Sequence, residues 1–135
     1  MIIIYWLSSR TAAESSAQST GLLERLIAIF GDNFFTDHIV RKMSHFLEFA
    51  GLSFLFNISI CQTRKKADCI ISVALTSLYA ITDEFHQLFV AGRSCQISDW
   101  CIDTFGAIIG AMGFWVIYSA VKAISKKKYI DRGNI

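Results

Sequence analysis

Residues 69–93 read CIISVALTSLYAITDEFHQLFVAGR, an apolar run from Cys69 to Tyr79 that ends in three ionisable side chains, an amide and an arginine. The first half is built to lie in lipid. The second half carries Asp83, Glu84, His86, Gln87 and Arg93, which a soluble surface tolerates cheaply. At the edge of a bilayer core each unpaired ion costs several kcal/mol, so such a cluster is read as functional and must find partners.

Working outward, two further apolar segments flank this one. The preceding one covers residues 43–61, with Arg41 and Lys42 before it and Arg64, Lys65 and Lys66 after it. The following one covers 97–124 and is closed by Lys126, Lys127 and Lys128. With 69–90 between them, all three reach the roughly 20 residues needed to cross a bilayer. At 135 residues, 53% of them hydrophobic, the chain has room for one domain and is too apolar for an ordinary soluble one. The expected architecture is all-α, a polytopic transmembrane helical bundle of three full spans forming a single domain over 1–135.

The N-terminal part completes this expectation. Residues 1–7 are apolar but too short to span, and read as the remnant of a first helix or a shallow anchor; nothing before them is basic, as a signal peptide would require. Ser8 to Gly21 is polar and reads as a surface loop. Over 22–31, Leu22, Leu23, Leu26, Ile27 and Phe30 recur at helical spacing opposite Glu24, Arg25 and Asp32, which predicts a short interfacial helix. In the last span Gly106 and Gly110, with Ala107, Ala111 and Gly113, form a small-residue strip on which a neighbouring backbone can close.

Charge sets the orientation. The loop between the 43–61 and 69–90 segments and the region from Lys122 onward together hold eight basic residues against two acids, Asp68 and Asp131; the other side holds five against nine. Lysine and arginine favour the cytoplasmic side, so the C-terminus is expected in the cytoplasm and the charged motifs at the outer face. The overall charge of +2, without a basic patch interleaved with aromatics, excludes a nucleic-acid partner.

With that orientation, three helix ends reach one depth. Arg41, His45 and Glu48 lie on one stripe, Asp83 and Gln87 are four residues apart, and so are Asp99 and Asp103. His45, Glu48, Asp83, His86 and Asp103 are the candidates for handling protons, histidine beside carboxylate being the pairing that exchanges them near neutral pH. Arg41, Lys42, Glu84, Gln87, Arg93 and Asp99 are the candidates for holding a ligand, arginine and lysine being the clamps for phosphate or carboxylate. Each also has a plainer use: a terminal Arg41 or Lys42 can snorkel to headgroups, a lone His45 can be structural, and the whole set can serve as a charge network that locks the bundle.

No serine-histidine-aspartate order with a glycine elbow, no phosphate-binding Walker loop and no H-E-x-x-H occurs. No metal or cofactor is assigned; the gaps from His45 to Glu48 and from Asp83 to His86 permit a divalent ion without requiring one. Cys61, Cys69, Cys95 and Cys101 show no metal-knuckle spacing; three sit in or beside apolar runs as small hydrophobes, which leaves Cys95 as the candidate reactive thiol.

Three motifs together carry a family resemblance: Arg41-Lys42-Met-Ser-His45-Phe-x-Glu48-Phe, Tyr79-Ala-x-x-Asp83-Glu84-Phe-His86-Gln87-x-Phe-Val-x-Gly92-Arg93, and Asp99-x-x-x-Asp103-x-x-Gly106. At these positions the chain resembles the VanZ-like family of small bacterial membrane proteins, named for a member associated with resistance to the glycopeptide teicoplanin. The Ser8 to Ser19 region also resembles that family's loop after its first helix. The resemblance implies an integral protein of the bacterial inner membrane working at the cell envelope, with a link to glycopeptide resistance. It supplies no reaction. The residues and the resemblance together lead to an outward-facing polar site that binds or processes an anionic envelope lipid or peptidoglycan precursor, with membrane lipid as its surroundings. The alternative is a non-catalytic accessory membrane protein.

Overall fold

A computed structural model describes residues 1–30, 36–93 and 96–133, and every regular element in them is helical: α1 (Ile2–Ser8), α2 (Ala12–Phe30), α3 (Asp37–Arg64), α4 (Cys69–Gln87) and α5 (Ile97–Gly133). Short-range chemistry sets most of the boundaries. Thr36 caps α3 by accepting from the Ile39 amide at 3.4 Å, and Lys65 ends it in the left-handed conformation, φ 59°, with its amide on the Cys61 carbonyl. Asp68 caps α4 through the Ile71 amide at 3.3 Å.

The expected loop from Ser8 to Gly21 is a correction. Ser8 closes α1, and from Ala12 the chain is already helical, so the 22–31 segment is the second half of a 19-residue helix rather than a short element of its own. The cause is a capping box. Thr11 Oγ1 accepts from the Glu14 amide at 3.3 Å while Glu14 Oε2 accepts from the Thr11 amide at 2.9 Å. Beyond that start, alanine, glutamate and glutamine carry the helix despite the serines. The end of the 22–31 segment, with Asp32, lies outside the described residues.

The three long helices form the body. Phe46 and Ala50 of α3 meet Gly106 and Gly110 of α5, and Phe54 stacks edge-on against Phe114, so contacts advance together by four residues along both helices. α3 and α5 therefore run parallel. α4 runs against both: Ser77 pairs with Thr104 at 2.9 Å, while Cys69 donates to the Ala111 carbonyl at 3.5 Å further down. Its buried face, Ser72, Thr76, Ala80, Asp83, Glu84 and Gln87, repeats at helical spacing. The apolar centre is Ile4, Phe49, Leu52 and Ala80, with Phe56, Tyr79 and Trp100 against it. α1 lies along α4, its Met1 carbonyl accepting from Tyr79 Oη at 3.0 Å.

Among the described residues two helices are long and apolar enough to cross a membrane, over His38–Arg64 and Ile97–Lys127. Only 22% of the most apolar window in each is buried, whereas a core helix of a soluble protein would be mostly covered. What faces outward is apolar. Leu47, Leu55, Phe105, Met112, Trp115 and Ile124 are all exposed, far more contiguous apolar surface than a water-soluble monomer keeps. Cys61, Cys69 and Cys101 are free thiols, and Cys95 lies outside the described residues.

Candidate functional site

The parallel course of α3 and α5 decides which charges meet. Both helices begin at the same end of the body, so Lys42 faces Asp99 and, one turn deeper, His45 faces Asp103. Lys42 Nζ stands 3.2 Å from Asp99 Oδ1, an ion pair with 30% and 27% of the two side chains still exposed. His45 Nδ1 stands 3.9 Å from Asp103 Oδ1, too far for a hydrogen bond. Asp103 is fully buried, and neither of its oxygens has a hydrogen-bond partner among the described residues.

These side chains wall a recess of about 190 Å³. Arg41, Lys42 and His45 form one side, and Asp99, Ile102 and Asp103 the other. Gln87, at the last turn of α4, and Gly92, Arg93 and Gln96 of the following connection close it. Gly92 holds φ at 75°, which brings the chain round so that Arg93 turns inward. Burial, and next the charge of Arg41, push the Arg93 guanidinium below its ordinary value, while Asp83, Glu84 and Glu48 pull it back. It remains a cation at neutral pH. Its Nε is buried without a hydrogen-bond partner among the described residues.

A smaller chamber of about 140 Å³ lies on the other side of Arg41, His45 and Arg93. Ser44 and Glu48 continue its α3 wall, and Ser15, Gln18, Ser19 and Leu22 of α2 face them. An expected loop over these residues leaves this wall out, and the helix supplies it. The Thr11-Ala-Ala-Glu14 box was the signal for it, since a helix starting there puts residues 15, 18, 19 and 22 on one face.

The expected site residues thus divide. Arg41, Lys42, His45, Gln87, Arg93, Asp99 and Asp103 share the recess, and Glu48 lines the adjoining chamber. Asp83 is buried behind the recess, accepting from Gln87 Nε2 at 3.1 Å, and Glu84 accepts from the Gln96 amide at 2.9 Å, fixing the connection to α5. His86 is a correction: it does not join His45. Its ring stacks on Tyr5 of α1 with centroids 4.6 Å apart, and its Nε2 lies 3.1 Å from Ser9 Oγ. One residue is a 100° step around a helix, so Gln87 and Asp83 on the buried stripe leave His86 turned toward α1. Among the described residues no three histidine, cysteine or carboxylate side chains converge as a metal would need.

A model of the VanZ/LLP1 family matches residues 1–118, most of the chain. The chain belongs to the VanZ/LLP1 family. The matched stretch takes in all the recess and chamber residues and stops before the lysine-rich end of α5. No curated protein and no solved structure matches the chain. With two helices of membrane-crossing length and composition, this VanZ/LLP1 chain is a membrane protein.

Proposed function

We propose that the protein is an inner-membrane component of the bacterial cell envelope whose recess, at the outer face, holds the anionic headgroup of an envelope lipid or cell-wall precursor, and that this activity contributes to glycopeptide resistance of the teicoplanin type. The observation that carries the reading is the recess itself. Lys42 is balanced by Asp99, which leaves Arg41, on the α3 side, and Arg93, from the connection after α4, as two further cations lining the same recess. An anion seated between them relieves their repulsion and satisfies the buried Arg93 Nε. His45, backed by Asp103, adds a group able to take and return a proton beside the ligand.

The parallel pair supports three crossings. If α3 and α5 both cross in one direction, the chain must return between them, and α4 runs antiparallel to both. Its 19 residues give about 28 Å of helix, close to the hydrocarbon thickness. The basic end of α3 at Arg64 to Lys66 and the lysines from Lys122 lie at the end away from the recess, which supports a cytoplasmic C-terminus.

A double Arg41→Gln, Arg93→Gln variant is expected to lose teicoplanin tolerance in the host while reaching the membrane at the normal level and melting at the normal temperature. Tolerance unchanged in that variant overturns the reading. A second reading, that the charges only lock the bundle, draws on the Lys42 to Asp99 and His45 to Asp103 contacts between α3 and α5. It requires the arginine variant to melt lower instead. Orientation is checked separately by a cysteine at exposed Ala91, in a background with the native cysteines replaced, which a membrane-impermeant maleimide should label on intact cells.

A further inference from the structure

The chamber against α2 has no role in the anion reading, yet it opens from the same three side chains. Arg41, His45 and Arg93 form a shared partition, with the charged recess on one side and a wall of serine and glutamine on the other. Neither space alone reaches the roughly 300 Å³ at which small-molecule sites begin, whereas the two joined do. Their linings differ in kind. Beyond the shared Arg41, His45 and Arg93, the recess adds Lys42 with Asp99 and Asp103, whereas the chamber adds neutral amide and hydroxyl groups and one carboxylate, Glu48.

The hydrogen-bond polarity of the chamber can be read from what its groups already do. Ser44 Oγ gives its proton to the Val40 carbonyl at 3.0 Å, so it turns an acceptor oxygen toward the chamber. Glu48 adds carboxylate acceptors, and Gln18 on exposed helix surface brings both an acceptor and a donor. A group with several hydroxyls, which can donate to Ser44 and Glu48 and accept from Gln18 and the arginines, is matched at each point. The wall is also firmly placed, since Ser15, Gln18, Ser19 and Leu22 follow one face of a helix whose start is fixed by Thr11 and Glu14.

We infer that the ligand is bipartite: a phosphate held by Arg41 and Arg93, joined to a neutral hydroxyl-rich group, a sugar in the simplest case, that lies in the chamber between α2 and α3. The inference rests on the anion reading and narrows it from any anionic headgroup to a glycosyl phosphate, whether carried on a lipid or free. α2 is then the element that selects among anions, and Gln18 a specificity residue.

The test measures binding to the full-length protein in nanodiscs. The probes are inorganic phosphate and glucose 1-phosphate added in solution and, in a second arm, a polyprenyl phosphate with and without one attached glucose in the bilayer. Wild type is expected to prefer the glycosylated member in at least one arm by about tenfold, the worth of one or two net hydrogen bonds. The arm showing the larger preference identifies the free or the lipid-linked form. Gln18→Ala combined with Ser15→Ala, helix-compatible changes on α2, should erase that preference and leave the bare phosphate affinity unchanged. Equal binding of both members by wild type, or an equal loss of both in the α2 variant, overturns the bipartite ligand alone. Failure of wild type to bind any of the four probes removes the anion reading as well.

Discussion

Replacing Gly110 with alanine is the most direct way to ask whether α3 and α5 touch as described. A Cβ on Gly110 would stand 2.7 Å from the carbonyl carbon and 2.9 Å from the Cα of Ala50, and closer still to its carbonyl oxygen. Comfortable carbon-to-carbon separation is about 3.5–4.0 Å, so the helices would have to part by about 1 Å. All of the opposing atoms are backbone, which cannot swing aside as a side chain would. The cost falls at the upper end of the overpacking range, about 3 kcal/mol. Alanine returns about 1 kcal/mol in helix propensity, for a net loss of about 2 kcal/mol.

The same substitution elsewhere on α5 supplies the control. At Gly106 the nearest backbone carbons are those of Phe46 at 3.2 and 3.3 Å, so the loss should be smaller. At Gly113 nothing lies within 4 Å, and alanine should be neutral or stabilising by up to about 1 kcal/mol. Unfolding of the purified protein in mixed detergent, followed by circular dichroism, should therefore rank Gly110→Ala below Gly106→Ala, and Gly106→Ala below Gly113→Ala. If Gly110→Ala is as stable as wild type, the helices are not in backbone contact there, and the pairing of Lys42 with Asp99 above it loses its scaffold.

Four other outcomes are expected. Alanine at Lys42, at Asp99 and at both should give a coupling of about 0.2–1 kcal/mol in a double-mutant cycle, the range of partly exposed ion pairs; no coupling would separate the two side chains. Asn57 is fully buried, with its amide nitrogen on Ser53 and Ser72 but its Oδ1 without a partner among the described residues, so near-isosteric Asn57→Leu should change stability by only about 0.6 kcal/mol, the average for such bonds in membranes. A loss above about 2 kcal/mol would show the oxygen to be bonded. The Thr11 amide, and then its hydroxyl, hold Glu14 below its ordinary value of 4.5; a folded value below the unfolded one gives stability that is present above pH 4.5 and fades as pH falls through the folded value, so hydrogen-exchange protection at residues 12–16, relative to the intrinsic rate at each pH, should fall there in wild type and not in Glu14→Gln. Gly92→Ala, at φ 75°, should cost about 1–2 kcal/mol of local strain and weaken phosphate binding as Arg93→Gln does; binding at wild-type strength would mean that Arg93 reaches the recess without that turn.

The long-range plan was legible because lipid makes it so. Apolar length separates α3 and α5 from everything else, and the four-residue spacing of Asp99 and Asp103, like that of Gly106 and Gly110, survives unchanged into the packed helix. What the sequence hid were matters of rotation and of local chemistry. His86 sits one step from Gln87, and motif membership does not say which of two adjacent residues a helix turns inward; the contact with Tyr5 settles it. α2 was hidden for a different reason. Its serines lower the expectation of a helix, and one reciprocal cap at Thr11 and Glu14 outweighs them. The polar residues deep in the bundle, Ser53, Asn57 and Ser72, looked unremarkable in the sequence because each is uncharged, although together they pair α3 with α4.

The charges gathered at the start of α3 and α5 then fall into two sets with different duties. Asp83, Glu84 and Gln87 are spent inside the fold: Asp83 takes the Gln87 amide, and Glu84 takes the Gln96 amide that leads into α5. The Glu84 bond ties α4 to the start of α5, and both acids favour the charge of the Arg93 guanidinium that lines the recess. Arg41 and Arg93 are left facing space that two helices and a turn keep open. A purely structural network would place a carboxylate between two such cations, as it does between α3 and α5 for Lys42. Here Asp99 is taken by Lys42 and Asp103 stands on the opposite side of the recess from Arg41, so an anion between the two arginines would complete the set, as the proposed function requires.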